Sequence, residues 1–176
     1  MVIFMDVLEA QKTRRSIRKY QQKPVEQEKI DKILVAAMQG PSAMNERPWH
    51  FIVITDKAVL SEIPKVSPYA QMLSETPLAI VVCGDIESLK IDGLWSQDCA
   101  IASTNILLAA HSLGLGAVWT AAYPLPGRAE GIQKILGLPK NVIPLSVIPI
   151  GYPAEQKPAV ERFDKSRVHK QKWQLS

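Results

Sequence analysis

The run Arg14-Arg15-Ser16-Ile17-Arg18-Lys19-Tyr20 concentrates anion-binding groups: three guanidiniums, one ammonium and a hydroxyl, with no carboxylate among them. Arg14 and Arg18 share a face of a helix, four positions apart. In a strand they share a face with Ser16, because side chains alternate. Planar guanidinium forks match phosphate oxygens bidentately, so either geometry suits a phosphate. Taken alone, the stretch reads more simply as a solvated basic turn after an N-terminal helix. Basic residues crowd 12–23 and again 165–172, which predicts that the two ends of the chain meet around an anion.

No other stretch carries a nucleophile or metal signature. There is no G-x-S-x-G, no P-loop and no G-x-G-x-x-G after a strand. His50, His111 and His169 are isolated in sequence and read as structural. Asp98 falls in the first turn of a helix, where a carboxylate complements the dipole. Cys83 and Cys99 lie in apolar surroundings without ligand spacing, so they read as reduced core thiols. Binding groups without an evident acid, base or metal fit a cofactor that carries its own reactive atom.

The elements that must position these groups follow from periodicity. Asp6 caps a short helix through Ala10. Ile30, Ile33, Leu34, Ala37 and Met38 recur at helical spacing, with Gly40 placed to end that helix. The small polar loop Pro41-Ser42-Ala43-Met44-Asn45 leads through Pro48 into a strand over 50–55. Short helices are expected over 58–63 and 69–75, then a fully buried strand over 78–83. Ser96 is placed to cap the longest helix, 97–113, closed by Gly114 and apolar around most of its circumference. Such a helix is buried centrally or at a subunit interface. A strand over 117–121, a helix over 129–136 and a strand over 143–150 complete the pattern, with Pro144 and Pro149 expected near edges or ends. After Gly151 the chain is polar and basic, with Trp173 as its only strong anchor. The alternation indicates an α/β or α+β sandwich around one sheet.

At 176 residues, with 47% hydrophobic and 22% charged content, the chain suits a single domain over 1–176. The apolar start is cut short by Asp6 and has no basic region, so it reads as no signal peptide. No run approaches membrane-spanning length, and a cytoplasmic location is expected. The net charge of +4 permits a nucleic-acid footprint without requiring one, and few aromatics are available for base stacking.

The ordered set of motifs resembles the FMN-dependent nitroreductase family. It comprises Arg-Arg-Ser-Ile-Arg-Lys-Tyr after the first helix and Pro41–Asn45 leading to Pro48-Trp49-His50-Phe51. Gln97-Asp98-Cys99-Ala100 with the helix through Asn105–Ala110, and Leu113–Trp119, follow in order. Gly151-Tyr152-Pro153 with a basic tail ends the set. The resemblance implies an α+β three-layer sandwich, with a central, mostly antiparallel sheet flanked by helices. It also implies a homodimer with FMN at the subunit interface and NADH or NADPH as reductant. Arg14, Ser16 and Arg15 would meet the FMN phosphate, and Arg18 the N1/O2 edge of the ring. Ser42 and Asn45, with the Pro41 and Ala43 backbone, would come from the partner chain. Thr120, Ala121 and Ala122 would face N5, and Lys165 and Arg167 would close on the phosphate. No protein residue is expected to be catalytic in its own right, and no metal is implied.

The chain departs from the family pattern in three places. Only the short 123–138 segment stands where longer members carry a covering insertion. The region Tyr69-Ala70-Gln71-Met72-Leu73 lacks a lysine, and Ala121-Ala122 replaces an acidic residue often found beside N5. The expected activity is ping-pong reduction of quinones, nitroaromatics or related small acceptors. The alternatives are a specialised dehydrogenation or dehalogenation and an FMN-binding protein without general turnover.

Overall fold

The computed structural model describes residues 5–87 and 89–173, so the sequence reading of residues 1–4 lies outside it. Helix α1 (Val7–Thr13) starts where Asp6 accepts the Leu8 and Glu9 amides. α2 spans Gln27–Met38 and buries Ile30, Ile33 and Ala37 on one stripe. Strand β1 (Trp49–Ile54), helix α3 (Lys57–Val66) and a 3-10 turn (Pro68–Glu75) lead to β2 (Leu78–Asp85). α4 (Trp95–Ser112), the short β3 (Gly116–Ala117) and β4 (Thr120–Ala121), α5 (Arg128–Leu136) and β5 (Val142–Gly151) follow.

The sheet runs in the order β1-β2-β5-β3, with β4 also on β5, and every named strand pair is antiparallel. A single parallel bridge, Ser16 to Ala117, lays the basic segment along the β3 edge. Alternation in β2 sorts its side chains into two cores. Leu78, Ile80 and Val82 meet Ile33, Ala102 and Ile106 on the α2/α4 side. Ala79, Val81 and Cys83 meet Leu60, Ile63 and Ile132 on the α3/α5 side. The result is the expected α+β sandwich of three layers, with helices on both faces of a mostly antiparallel sheet.

Several local expectations are corrected. α4 begins at Trp95 with no side-chain cap, and the Ser96 hydroxyl turns back to the Gly93 carbonyl instead. Trp95 starts the helix early because its ring fills the space over Gly84, where a Cβ would come within 2.3 Å of it. Gly40 follows the Gln39 C-cap as expected but is not left-handed; a Cβ there would stand 2.7 Å from Ile101 Cγ2, so it serves the close approach of α2 to α4. The expected strand over 117–121 is two short pieces. β5 is central rather than an edge, and its prolines sit at irregularities: Pro144 beside the register shift near Val82, Pro149 opposite the interruption between β3 and β4. Among the described residues Trp173 is 78% exposed and stacks on His169, so it does not anchor the tail to the core they form.

Gly116 has a direct bearing on the basic segment. A Cβ there would lie 2.7 Å from Ile17 Cγ2 and 2.8 Å from Ile17 Cβ. Gly116→Ala is therefore expected to destabilise the fold by about 1–3 kcal/mol through overpacking. Urea unfolding measures it, and an unshifted midpoint would contradict this packing.

Candidate functional site

From Arg14 to Tyr20 the chain is extended. Ile17 donates its amide to the Ala117 carbonyl at 3.1 Å and is buried, as is Tyr20. The Tyr20 hydroxyl donates to the Ile17 and Pro149 carbonyls, and burial raises its pKa above the ordinary phenol value. Strand alternation then places Arg14, Ser16 and Arg18 on the face opposite Ile17.

The three arginines differ in what they touch. Arg15 spends its donors on the carbonyls of Arg14, Pro158 and Val160, at 2.6, 2.9 and 3.4 Å. It ties the tail down, which makes its expected phosphate contact secondary. Arg14 is half-buried, and its guanidinium has no hydrogen-bond or ion-pair partner among the described residues. Burial, followed by the cations Arg162 and Arg15, lowers its pKa. Arg18 is exposed; its amide donates to Glu155, while its guanidinium is likewise unpaired among the described residues.

The two ends of the chain do meet, largely through backbone groups. Glu155 Oε1 accepts the Arg18 and Lys19 amides at 2.6 and 3.3 Å, and Lys157 donates to the Ser16 carbonyl at 2.7 Å. A cleft of about 390 Å³ opens between Thr13, Arg15, Ile17, His111, Gly114 and Lys157. Thr13 Oγ1 and His111 Nε2 are 2.8 Å apart, and burial with the Arg14 and Arg15 charges lowers the His111 pKa. The tail cation beside Arg14 is Arg162, not Lys165 or Arg167. Lys165 is exposed, and Arg167 is paired with Asp164 at 3.0 Å on an exposed turn. Arg162 was missed because it lies just ahead of the basic cluster at 165–172.

The second group of expected contacts lies elsewhere. Met44, Asn45 and Arg47 all have positive φ, at 49°, 57° and 50°. Left-handed backbone costs a non-glycine residue about 1–3 kcal/mol and persists only where neighbours over-determine it. Here Ser42 Oγ accepts the Arg47 amide at 3.0 Å, and Asp98 Oδ1 accepts the Ala43 amide at 3.1 Å. Pro41 and Asn45 are exposed. Asp98 is 4% exposed, and its Oδ2 is buried with no partner among the described residues. The dipole reading of Asp98 is therefore incomplete. A dipole contributes roughly 0.3–1 kcal/mol, whereas burying an under-paired carboxylate costs several kcal/mol.

Residues 120–122 are largely consumed by the sheet. Thr120 Oγ1 donates to the Val147 carbonyl, and the Ala122 amide donates to Leu145. Ala122 is fully buried, which leaves Ala121 as the partly exposed member. The cysteines carry no chemistry, since burial pushes both thiols up to about 12. Among the described residues no group of metal-ligating side chains occurs, and no helix is long and apolar enough to cross a membrane.

α4 relates the two half-sites. Its first turn holds the 42–47 loop through Asp98, and its last turn meets Thr13 through His111. Thirteen residues separate them (111 − 98), so they lie about 20 Å apart along the helix at 1.5 Å per residue. The two groups of candidate residues therefore stand apart within one chain.

The model of the nitroreductase family matches residues 12–81 and 68–152. A Methanothermobacter thermautotrophicus protein, provisionally named an NADH dehydrogenase/NAD(P)H nitroreductase, is 61% identical over 96% of this chain and 88% of its own length. A similarly named Parabacteroides distasonis protein has a crystal structure that superposes with a TM-score of 0.90. It is 47% identical, and the match covers 95% of this chain and 98% of that one. An FMN-dependent nitroreductase from Clostridium difficile R20291 superposes with a TM-score of 0.88 at 35% identity, covering 94% and 99% of the two chains. The chain belongs to the nitroreductase family.

The junction of tail and basic segment has a pH signature. The Arg18 amide, followed by lesser contributions from Lys157 and the Lys19 amide, holds the Glu155 carboxyl below its ordinary value of 4.5. A depressed folded pKa gives stability that is full above that ordinary value and lost as the pH falls through the folded one. Glu155→Gln should therefore be less stable than wild type at neutral pH, with the gap closing in acid. Urea unfolding across that range checks this, and a gap independent of pH would contradict it.

Proposed function

We propose that the chain is an FMN-dependent NAD(P)H oxidoreductase, acting as a homodimer on quinones, nitroaromatics or related small acceptors. Arg14 is the observation that carries this reading. A half-buried guanidinium without a partner among the described residues, pressed by two more guanidiniums, is a destabilised arrangement that a phosphate dianion would relieve. Arg14 and the Ser16 hydroxyl would hold that phosphate, with Arg162, Lys165 and Arg167 adding positive charge from the tail.

The other end of the cofactor needs the 41–45 loop, which is about 20 Å away along α4 in the same chain. Ser42 and Asn45 of one chain would therefore serve the phosphate site of the other. A two-fold dimer makes such an exchange reciprocal, giving two equivalent sites. The exposed apolar residues Val160, Phe163, Val168 and Trp173 on the tail are consistent with a covering second chain.

Bound FMN would supply a ring that takes hydride from NADH or NADPH and returns the electrons to an acceptor in a second, ping-pong step. Arg18 would offer an unpaired cation to the negative charge that arrives with the electrons, a preorganised electrostatic contribution. Ala121 would present a small apolar surface to whatever stacks on the ring. Protons can come from solvent, which fits the lack of a dedicated acid. Ala121, at a place where the family pattern often has an acidic residue, favours a second reading as a specialised dehydrogenase or dehalogenase. Negligible turnover of NAD(P)H with quinone or nitro acceptors would select it.

Anaerobic addition of NADH or NADPH to the FMN-loaded protein should bleach its visible flavin absorbance. A spectrum that does not change would contradict the reductase reading. Arg14→Ala should weaken FMN binding roughly 10- to 100-fold, the loss of one charge-assisted contact. Arg18→Ala should instead lower the flavin reduction potential with little loss of affinity. Equal loosening of FMN by both substitutions would overturn the separate roles.

A further inference from the structure

The geometry points to Asp98 as a positioning residue. Its carboxylate latches the 42–47 loop in the one conformation that presents Ser42 and Asn45 to the flavin held by the neighbouring chain. This inference rests on the FMN reading above.

The loop cannot hold that conformation by itself. Its internal bonds, Ser42 to the Arg47 amide and the Ser42 carbonyl to the Asn45 amide, close the loop upon itself but do not attach it to the body. Attachment comes from Glu46 Oε1 with the Lys90 amide and from the Pro48 carbonyl with the Asp85 amide, both beyond Asn45. At the Ser42 end, Pro41 has no amide hydrogen. There the hydrogen bond into α4 is the one from the Ala43 amide to Asp98. Without it, Ser42 and Asn45 would be tethered from one side only, and the left-handed Met44 and Asn45 would relax toward commoner backbone.

Asp98 suits a latch better than a stabilising role. Its neighbours Cys99 and Ala102 are completely buried, so the side chain springs from a fixed point of α4. One oxygen serves Ala43, and the other is buried with no partner among the described residues. An apolar side chain at this position would spare the fold an under-paired carboxylate. What the carboxylate supplies instead is the conformation it imposes on the loop.

The test uses three variants of the full-length chain, read by FMN titration and by amide hydrogen exchange of residues 42–47 without FMN. Asp98→Leu should weaken FMN binding by roughly tenfold or more and speed loop exchange similarly, as expected for losing one charge-assisted bond. Its melting temperature should be maintained or raised. Asp98→Asn keeps an oxygen for Ala43 and should bind FMN within about threefold of wild type, since the acceptor survives. Ala43→Pro removes the donor without touching the core, and the extended Ser42 backbone (φ −138°, ψ 153°) accepts a following proline. It should reproduce the loss of FMN affinity, and it decides the matter if Asp98→Leu does not fold. Unchanged affinity and exchange in Asp98→Leu, or an Asp98→Asn as weak as Asp98→Leu, would overturn the latch. A wild-type chain that binds no FMN would remove the flavin reading, and loop exchange in Asp98→Leu would then judge the latch alone.

Discussion

The length of α4 is the constraint on which the rest depends. Its buried stripe of Trp95, Cys99, Ala102, Ile106 and Ala110 fixes the helix against β2 and β5, so neither end can drift. One end holds the strained 42–47 loop and the other faces the basic segment, and the rigid rod keeps them about 20 Å apart. On the proposed FMN reading, a single chain thus presents two separated halves of one site, and that separation is the ground for proposing that a second copy completes it.

At the basic end, order comes from groups that do no chemistry. Ile17 and Tyr20 are buried, and the bridge from Ser16 to Ala117 sets the segment's register against β3. Glu155, Lys157 and Arg15 stitch the tail to the same segment. These bonds leave Arg14 facing the cations Arg162 and Arg15, with no carboxylate among the described residues paired with it. Backbone ties of this kind fix a cation in place while leaving its donors free for an anion.

Much of this was legible before the structure. The unbroken apolar run over 78–83 announced a strand buried on both faces, and Asp6 announced the start of α1. Charge placement foretold that the chain's ends meet, but the residues that touch the basic segment are Glu155, Lys157 and the Pro158 and Val160 carbonyls, ahead of the 165–172 cluster. What could not be read depended on distant contacts. Trp95 starts α4 early because Gly84, on another strand, leaves room for its ring. Pro149 sits in a central strand because the neighbouring strand is interrupted opposite it. Asp98 looked like an ordinary first-turn carboxylate, since its partner Ala43 is 55 residues away. Arg162 escaped notice because a residue count cannot tell which of several tail cations turns toward Arg14.

The central claim is that each cofactor site draws its phosphate end from one chain and its 42–45 loop from the other. The direct measurement is FMN stoichiometry in a mixed dimer. One chain would carry Arg14→Ala with an intact loop, and the other an intact Arg14 with Ser42→Ala and Asn45→Ala. In that mixed dimer one site combines both defects and the other is wholly intact. The account predicts that each parent homodimer binds FMN weakly, while the mixed dimer binds one FMN per dimer with wild-type affinity. If the mixed dimer binds no better than its parents, both halves of each site come from a single chain, and the account is wrong.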